Sequence, residues 1–209
     1  MDTHQLDAAE VRILGALIEK QALTPDAYPM TLNGLLTACN QLTSREPVMQ
    51  LSEAELSQAL ASLLEQKLIG ERLPAGSRVA KYEHRLPYAW NIDGARLAAL
   101  CVLLLRGPQT SAEIRSKAGR IYAFSGVDEV DTALAALADK YPPLVVKLER
   151  QPGEREARWA HLLCGEPTPP ISAPAAAIDV GLAGRVAALE AEVAALKTRL
   201  AELVDLLGG

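Results

Sequence analysis

The chain has 209 residues, 49% of them hydrophobic, which is enough for two small domains or for one domain with an appendage. The longest apolar run, residues 97–105, is too short to cross a bilayer, and residues 1–4 lack the basic start of a signal peptide, so we expect a cytoplasmic protein with no membrane partner. Three scattered cysteines without a C-x-x-C motif disfavour a disulfide framework or a zinc site, and a net charge of −5 excludes a uniformly basic nucleic-acid-binding protein.

The first part of the chain has the patterns of three helices. A capping box at residues 7–10 precedes apolar residues at helical spacing. A second, short helix is predicted after Thr31, and residues 40–51, which include Pro47, are predicted to form a loop. Another capping box, at residues 52–55, predicts the start of a third helix with one leucine-rich side.

After residue 67 the pattern changes to that of strands. Residues 68–73 and 78–86 are predicted strands, and residues 74–77 form the turn between them. Three helices followed by a hairpin is the order of a winged helix. In that fold the third helix enters the major groove of DNA and the hairpin forms the wing.

The same order of elements recurs in the second part of the chain. Helices are predicted over residues 95–106, from the capping box at 110–113 to about residue 119, and after the cap at 125–128; strands are predicted over 144–148 and 156–163. The two parts match at Glu55 and Glu129, Leu63 and Leu137, Tyr82 and Trp159, His84 and His161, and residues 71–74 and 149–152. We interpret the repeat as a duplicated winged-helix unit.

The end of the chain has two further patterns. Residues 165–181 contain four prolines and an alanine run, which predicts a Pro/Ala-rich linker. Residues 182–209 have a heptad pattern that favours a two-stranded coiled coil and therefore a homodimer, parallel or antiparallel; the alternative is a single amphipathic helix folded back on its own domains. The predicted dimerisation residues are Leu182, Val186, Leu189, Val193, Leu196, Leu200, Leu203 and Leu207.

Four separated segments, residues 39–48, 81–85, 103–110 and 158–162, resemble the YceH-like family of uncharacterised bacterial proteins. The resemblance covers residues 6–164, roughly, and implies two winged-helix domains in a cytoplasmic protein; it transfers no catalytic or binding residue. We therefore predict a mainly α fold with small β-hairpins (α+β). Two tandem winged-helix domains, residues 1–90 and 91–164, are followed by a linker, 165–181, and a C-terminal coiled-coil helix, 182–209.

The sequence has no motif of a common enzyme class: no phosphate loop, no dinucleotide-binding glycines, no H-E-x-x-H and no G-x-S-x-G. We expect no enzymatic activity, no cofactor and no metal. Cys39 with a distant His84 is one conceivable nucleophile and base, but a buried structural cysteine is the favoured interpretation. His84 and His161 are expected to pack in the core rather than to bind a metal.

The placement of charge bears on nucleic-acid binding. Residues 1–86 carry 8 Lys+Arg against 11 Asp+Glu, and residues 87–170 carry 10 of each. Both predicted recognition helices begin with carboxylates, which suit the helix dipole but oppose entry into a groove walled by phosphates. Basic residues that can contact phosphates without reading bases lie in the predicted wings and the preceding loop: Arg45, Arg72, Arg78, Lys81, Arg150, Arg155 and Arg158. The alternative is a solvated hairpin whose glutamates balance these charges.

Asn40, Gln41 and Arg45 form a candidate polar recognition loop beside the third helix. The favoured alternative is structural: Asn40 caps the second helix and Arg45 pairs with a nearby carboxylate. Two hypotheses of function stay open. The first, preferred on the fold, is a dimeric regulatory protein that contacts DNA weakly through its wings. The second is a protein-interaction scaffold with acidic winged-helix surfaces and no DNA binding.

Overall fold

A computed structural model describes residues 5–165, except residues 75 and 77. The described chain is mainly helical with small antiparallel sheets, which confirms the α+β prediction. In chain order the elements are α1 (Ala8–Leu23), a 3-10 turn (Pro25–Ala27), β1 (Met30–Thr31), α2 (Leu32–Cys39), α3 (Glu53–Glu65), β2 (Ile69–Arg72), β3 (Lys81–His84), α4 (Leu86–Ala89), α5 (Gly94–Arg106), α6 (Ser111–Ala118), α7 (Val127–Ala138), β4 (Val145–Lys147) and β5 (Trp159–His161). The predicted linker beyond Gly165 and the predicted coiled-coil helix lie outside the described residues.

Three of the four predicted helix caps are confirmed as full capping boxes, at the starts of α1, α3 and α6. The cap of α7 differs, because its N-cap is Gly126 and has no side-chain hydrogen bond. Instead, the backbone N–H and the hydroxyl of Ser125 both donate to the Glu129 carboxylate at 2.8 Å. Glu129 therefore has the role that Glu55 has in α3, where Ser52 donates through the same two groups.

The strands are shorter than predicted. In the first sheet, β3 lies between β1 and β2, and Ile69 is opposite His84; in the second, β4 pairs with β5, and Val145 is opposite His161. The predicted strand 78–86 ends at His84, since Leu86 begins α4, a helix that was not predicted. Pro87 lies in the first turn of α4, where the missing N–H costs no helical hydrogen bond.

Hydrogen bonds change some of the residue matches that the sequence predicted between the two parts of the chain. The Leu68 N–H donates to the Leu63 carbonyl at 3.0 Å, and the Leu144 N–H donates to the Leu137 carbonyl at 3.1 Å. The first of these connections spans 68 − 63 = 5 residues and the second 144 − 137 = 7. As a result Lys147, and not Glu149, lies where Glu71 lies, since Lys147 is opposite Trp159 and Glu71 is opposite Tyr82. The predicted match of residues 71–74 with 149–152 is therefore displaced by 149 − 147 = 2 residues.

The core is centred on the contact between α1 and α5. Residues 10–19 of α1 are all buried, and so are residues 98–105 of α5. The helices approach closely at Gly15, where an added Cβ would lie 2.8 Å from Leu105 Cδ2, and Cys101 Sγ lies 3.4 Å from the Gly15 carbonyl oxygen. The described residues therefore pack around one continuous core.

Candidate interaction surfaces

The β2–β3 hairpin carries three of the predicted phosphate contacts. Arg72 Nε lies 2.8 Å from Glu83 Oε2, so the charge of this arginine is balanced across the hairpin. Arg78 is exposed and Lys81 is half-buried, and among the described residues neither forms an ion pair.

The β4–β5 hairpin carries the other three. Arg158 is paired twice, with Nη1 2.8 Å from Glu113 Oε2 and Nε 2.9 Å from Glu154 Oε1. The hydrogen bond to Glu154 contributes most to raising the pKa of Arg158, which keeps the guanidinium charged and bound. Arg150 and Arg155 are exposed and have no ion-pair partner in the described part of the chain.

Arg45, which was predicted to contact nucleic acid, is buried and only 4% exposed. Its Nη2 lies 2.6 Å from Glu19 Oε2 and its Nη1 lies 3.1 Å from Glu19 Oε1, while Nε and Nη2 donate to the Ala38 carbonyl. Burial raises the pKa of Glu19, but hydrogen bonds and charge attraction from Arg45, and more weakly from Lys20, together outweigh it and hold the pKa below its ordinary value. An arginine held in this way cannot reach a phosphate, which corrects the predicted nucleic-acid contact at Arg45. The alternative prediction, that Arg45 pairs with a nearby carboxylate, agrees with the structure.

Asn40 and Gln41 also turn their polar groups inward. Asn40 is the C-cap residue of α2, and its side-chain amide forms two hydrogen bonds of 2.8 Å with the backbone N–H and carbonyl of Leu51. Gln41 Oε1 accepts hydrogen bonds from Arg45 at 3.0 Å and from Lys20 at 3.5 Å. Asn40 therefore closes the loop at its two ends, and Gln41 helps to hold its interior.

A second buried guanidinium, that of Arg12 in α1, holds the other side of this loop. Arg12 donates to the Cys39 carbonyl at 3.0 Å and to the Pro47 carbonyl at 2.5 Å, and the Glu46 N–H donates to the Leu105 carbonyl at 2.8 Å. We call residues 40–51 the anchored loop; its ends meet as in an Ω-loop. Sequence reasoning missed Arg12, although a charged residue inside an apolar helical stripe was a signal of a buried polar contact.

The outer side of the anchored loop carries apolar and acidic groups. The side chains of Leu42 and Val48 are 77% and 48% exposed, and Glu46 is exposed beside them. The first turn of α3 begins directly after the loop closes and exposes Glu53 and Glu55. Since Arg45 is paired internally, the exposed charges of residues 40–58 are all carboxylates.

The outward faces of the two predicted recognition helices are acidic as well. α3 exposes Glu53, Glu55 and Glu65, and α7 exposes Asp128 in its first turn. Neither helix contains a lysine or an arginine between its first and last residue. This arrangement opposes insertion of either helix into a groove lined by phosphates.

His84 is buried as predicted, whereas His161 is half-buried and not fully enclosed in the core. Burial lowers the pKa of His84 and of His161 to about 4, so both are neutral at pH 7. Burial also raises the pKa of the Cys39 thiol to about 12, which disfavours the thiolate that nucleophilic attack requires. No group of His, Cys, Asp and Glu in the described residues is arranged to hold a metal ion.

An open pocket of about 830 Å³ is lined by residues of α4, of the segment after α7 and of the end of β5. Trp90 and Tyr141 flank it, and the buried side chains of Leu144 and Leu163 contribute to its lining. Sequence reasoning gave no sign of this pocket, because its walls come from segments far apart in the chain.

Within the described chain, no helix combines the length and apolarity needed to cross a bilayer.

The family model described as "Protein of unknown function, DUF480" matches residues 6–154. A UPF0502 protein of Chromobacterium violaceum is 76% identical over 209 residues, which cover 100% of this chain and 95% of that protein. UPF0502 proteins of Herminiimonas arsenicoxydans and of an Azoarcus species are 49% and 48% identical, over 94% and 95% of this chain and 85% and 89% of theirs.

Proposed function

The chain belongs to the DUF480 family of bacterial proteins, and from that premise we propose that it is a non-enzymatic, cytoplasmic protein-interaction module built from two winged-helix domains. The sequence-based prediction that the chain belongs to a family without an assigned activity is confirmed. The expected absence of catalysis stays a prediction, and it is supported by the buried, unreactive state of Cys39 and His84.

The order of the elements supports a pair of winged-helix domains. α1, α2 and α3 are followed by the β2–β3 hairpin, and α5, α6 and α7 are followed by the β4–β5 hairpin. An equivalent hydrogen bond links the third helix of each set to its hairpin, since a leucine carbonyl, of Leu63 or Leu137, accepts from the residue before the first strand. The proposed boundary between the domains is near residue 90.

The distribution of outward-facing charge is the observation that carries the proposed function. Arg45 is buried, and Arg72 and Arg158 are balanced by glutamates. The outer faces of α3 and α7 expose carboxylates at the positions where a DNA-binding winged helix would present cations to the groove. A surface of this charge suits a protein partner better than a polyanion.

DNA contact through the hairpins is the second candidate function. Arg78, Lys81, Arg150 and Arg155 favour it, since they lie in the two hairpins without an ion-pair partner among the described residues. Contacts of this kind would be weak, independent of base sequence and sensitive to salt.

Fluorescence anisotropy of random-sequence duplex DNA, titrated at low and moderate salt, separates the two candidates. The proposed function predicts no binding even at low salt. Micromolar binding that is lost in the Arg78→Glu/Arg155→Glu double variant would instead establish the second candidate. The Arg115→Glu/Arg120→Glu double variant makes the same change of net charge at two exposed arginines outside the hairpins and controls for bulk electrostatics.

A photo-reactive residue at Gln58, on the exposed face of α3, tests the positive side of the proposal. We expect a discrete protein adduct in living cells of the source bacterium after irradiation. The absence of an adduct, together with DNA binding, would overturn the proposed function.

A further inference from the structure

We propose that the anchored loop and the first turn of α3 form a docking surface for a basic, amphipathic segment of a partner protein, an inference that rests on the proposed function. Its parts are two exposed apolar side chains, Leu42 and Val48, and three exposed carboxylates, of Glu46, Glu53 and Glu55.

The first step of the argument is the rigidity of the loop. Arg12 and Arg45 are 2% and 4% exposed, and both bind backbone carbonyls at the edges of the loop or inside it. Burying a guanidinium group is costly unless its donors are satisfied, and Arg45 meets this condition through Glu19, Gln41 and backbone carbonyls. Arg12 adds two hydrogen bonds to the backbone, while its Nε has no partner among the described residues. The loop carbonyls that these groups bind are thereby held in place. Ser44, directly before Arg45, has φ +62°, a left-handed conformation that a serine keeps only when its surroundings enforce it.

The second step is the position of the apolar side chains. The anchors approach the loop from α1 and the α2 end, whereas Leu42 and Val48 remain 77% and 48% exposed. A loop whose only role was to connect α2 to α3 could bury these side chains against the core and gain stability. A rigid loop that presents them to solvent loses little conformational entropy on binding, which favours association.

The third step is charge. Glu46 lies between the two apolar residues in sequence, and Glu53 and Glu55 follow from the start of α3, so every exposed charge of residues 40–58 is a carboxylate. The half-buried cation Lys20, which also contacts the loop, lies 3.5 Å from Glu19. A partner that combines apolar side chains with lysine or arginine satisfies both properties. A second copy of the same surface does not, because a two-fold contact would bring these carboxylates against one another.

The test uses the full chain and a defined probe, a fluorescently labelled amphipathic peptide of leucine and lysine. We expect saturable binding that the Leu42→Ser/Val48→Ser variant weakens by about tenfold, as is usual for the loss of apolar anchors. Leu73→Ser is the matched control, since Leu73 is 66% exposed on the β2–β3 hairpin; it should change binding by less than about twofold. Glu46→Gln/Glu53→Gln should weaken binding by about fivefold and reduce its dependence on salt. Glu55 is left intact because it caps α3.

Each outcome of this experiment either supports or overturns the proposed docking surface. Loss of binding in the loop variants, with retention in Leu73→Ser, supports the docking surface, provided that thermal unfolding shows the variants to be folded. Absence of binding, equal binding by all variants, or equal binding of a peptide with glutamate in place of lysine would overturn it. A protein adduct at Gln58 in the experiment above, combined with such a result, would leave the proposed function standing and remove only this surface.

Discussion

Individual residues show where sequence reasoning stops. The segment around Asn40 and Arg45 was recognisable as unusual from its polarity alone. Whether Arg45 faces inward or outward depends on Glu19, which lies 26 residues earlier on α1 and becomes a neighbour only in the folded chain. Arg12 was missed for the same reason, since its acceptors at Cys39 and Pro47 are backbone carbonyls that no sequence pattern marks.

His84 predicts a pH dependence of stability. It is 6% exposed, its Nε2 lies 2.6 Å from Gln21 Oε1, and burial lowers its pKa to about 4 against the attraction of Glu83. Between its ordinary pKa of 6.5 and about 4, protons bind mainly to the unfolded chain, so the free energy of unfolding should fall as the pH falls through this window and level off below it. The slope from one such histidine approaches about 1.4 kcal/mol per pH unit.

Urea unfolding of the wild type and of His84→Gln across this pH window measures the effect. The variant should show a shallower decline, with the remaining slope coming partly from His161, whose pKa burial also lowers to about 4. Identical slopes in the two proteins would contradict the assignment.

Among the secondary-structure elements, predictability follows how local the signal is. Capping boxes and helical periodicity lie within a few residues, and the helices they mark were correct for α1, α2, α3, α5, α6 and α7. The predicted ends of the strands were wrong because hydrogen bonding to a neighbouring strand determines where a strand ends. The alternation of apolar and polar residues continues through Leu86, but Leu86 is buried in α4 and not in the sheet. The displaced match at Lys147 has a similar origin, since the length of a connection leaves no pattern in the strand itself.

The crossing of α1 and α5 gives a prediction at this level. Gly15→Val should destabilise the protein by about 1–3 kcal/mol through overpacking, because its Cβ would lie 2.9 Å from Leu105 Cγ and 3.2 Å from Leu104 Cβ. Gly119→Ala is the control: the nearest atom to its added Cβ is 3.7 Å away, and its φ of −55° suits alanine. Chemical denaturation of both variants checks this, and an unaffected Gly15→Val protein would mean that the helices separate more easily than their packing indicates.

The whole molecule combines local order that was predictable with a shared core that was not. The sequence predicted two similar runs of helices and strands, and the structure has both. It did not predict that the first helix of one run would pack against the first helix of the other. Apolar residues on nearly every side of a helix indicate burial, but they do not say which element covers them.

The oligomeric state belongs to this scale, and the dimer stays a prediction that concerns residues outside the described part of the chain. The heptad pattern predicts that deletion of residues 182–209 halves the mass measured by sedimentation equilibrium. Replacing Leu189 and Leu196 with lysine in the full chain should have the same effect without shortening it. An unchanged mass in both cases would contradict dimerisation through this segment.

The contact at Gly15 also bears on inheritance. Two adjacent copies of a gene segment ordinarily remain separable, and either one can be lost, exchanged or fused to something else. Here the first helix of each run covers apolar surface of the other, so a lineage that dropped one run would leave the survivor with an uncovered core. Substitutions on either side of the crossing must also be accommodated by the opposite helix. We therefore expect the two runs to be retained together.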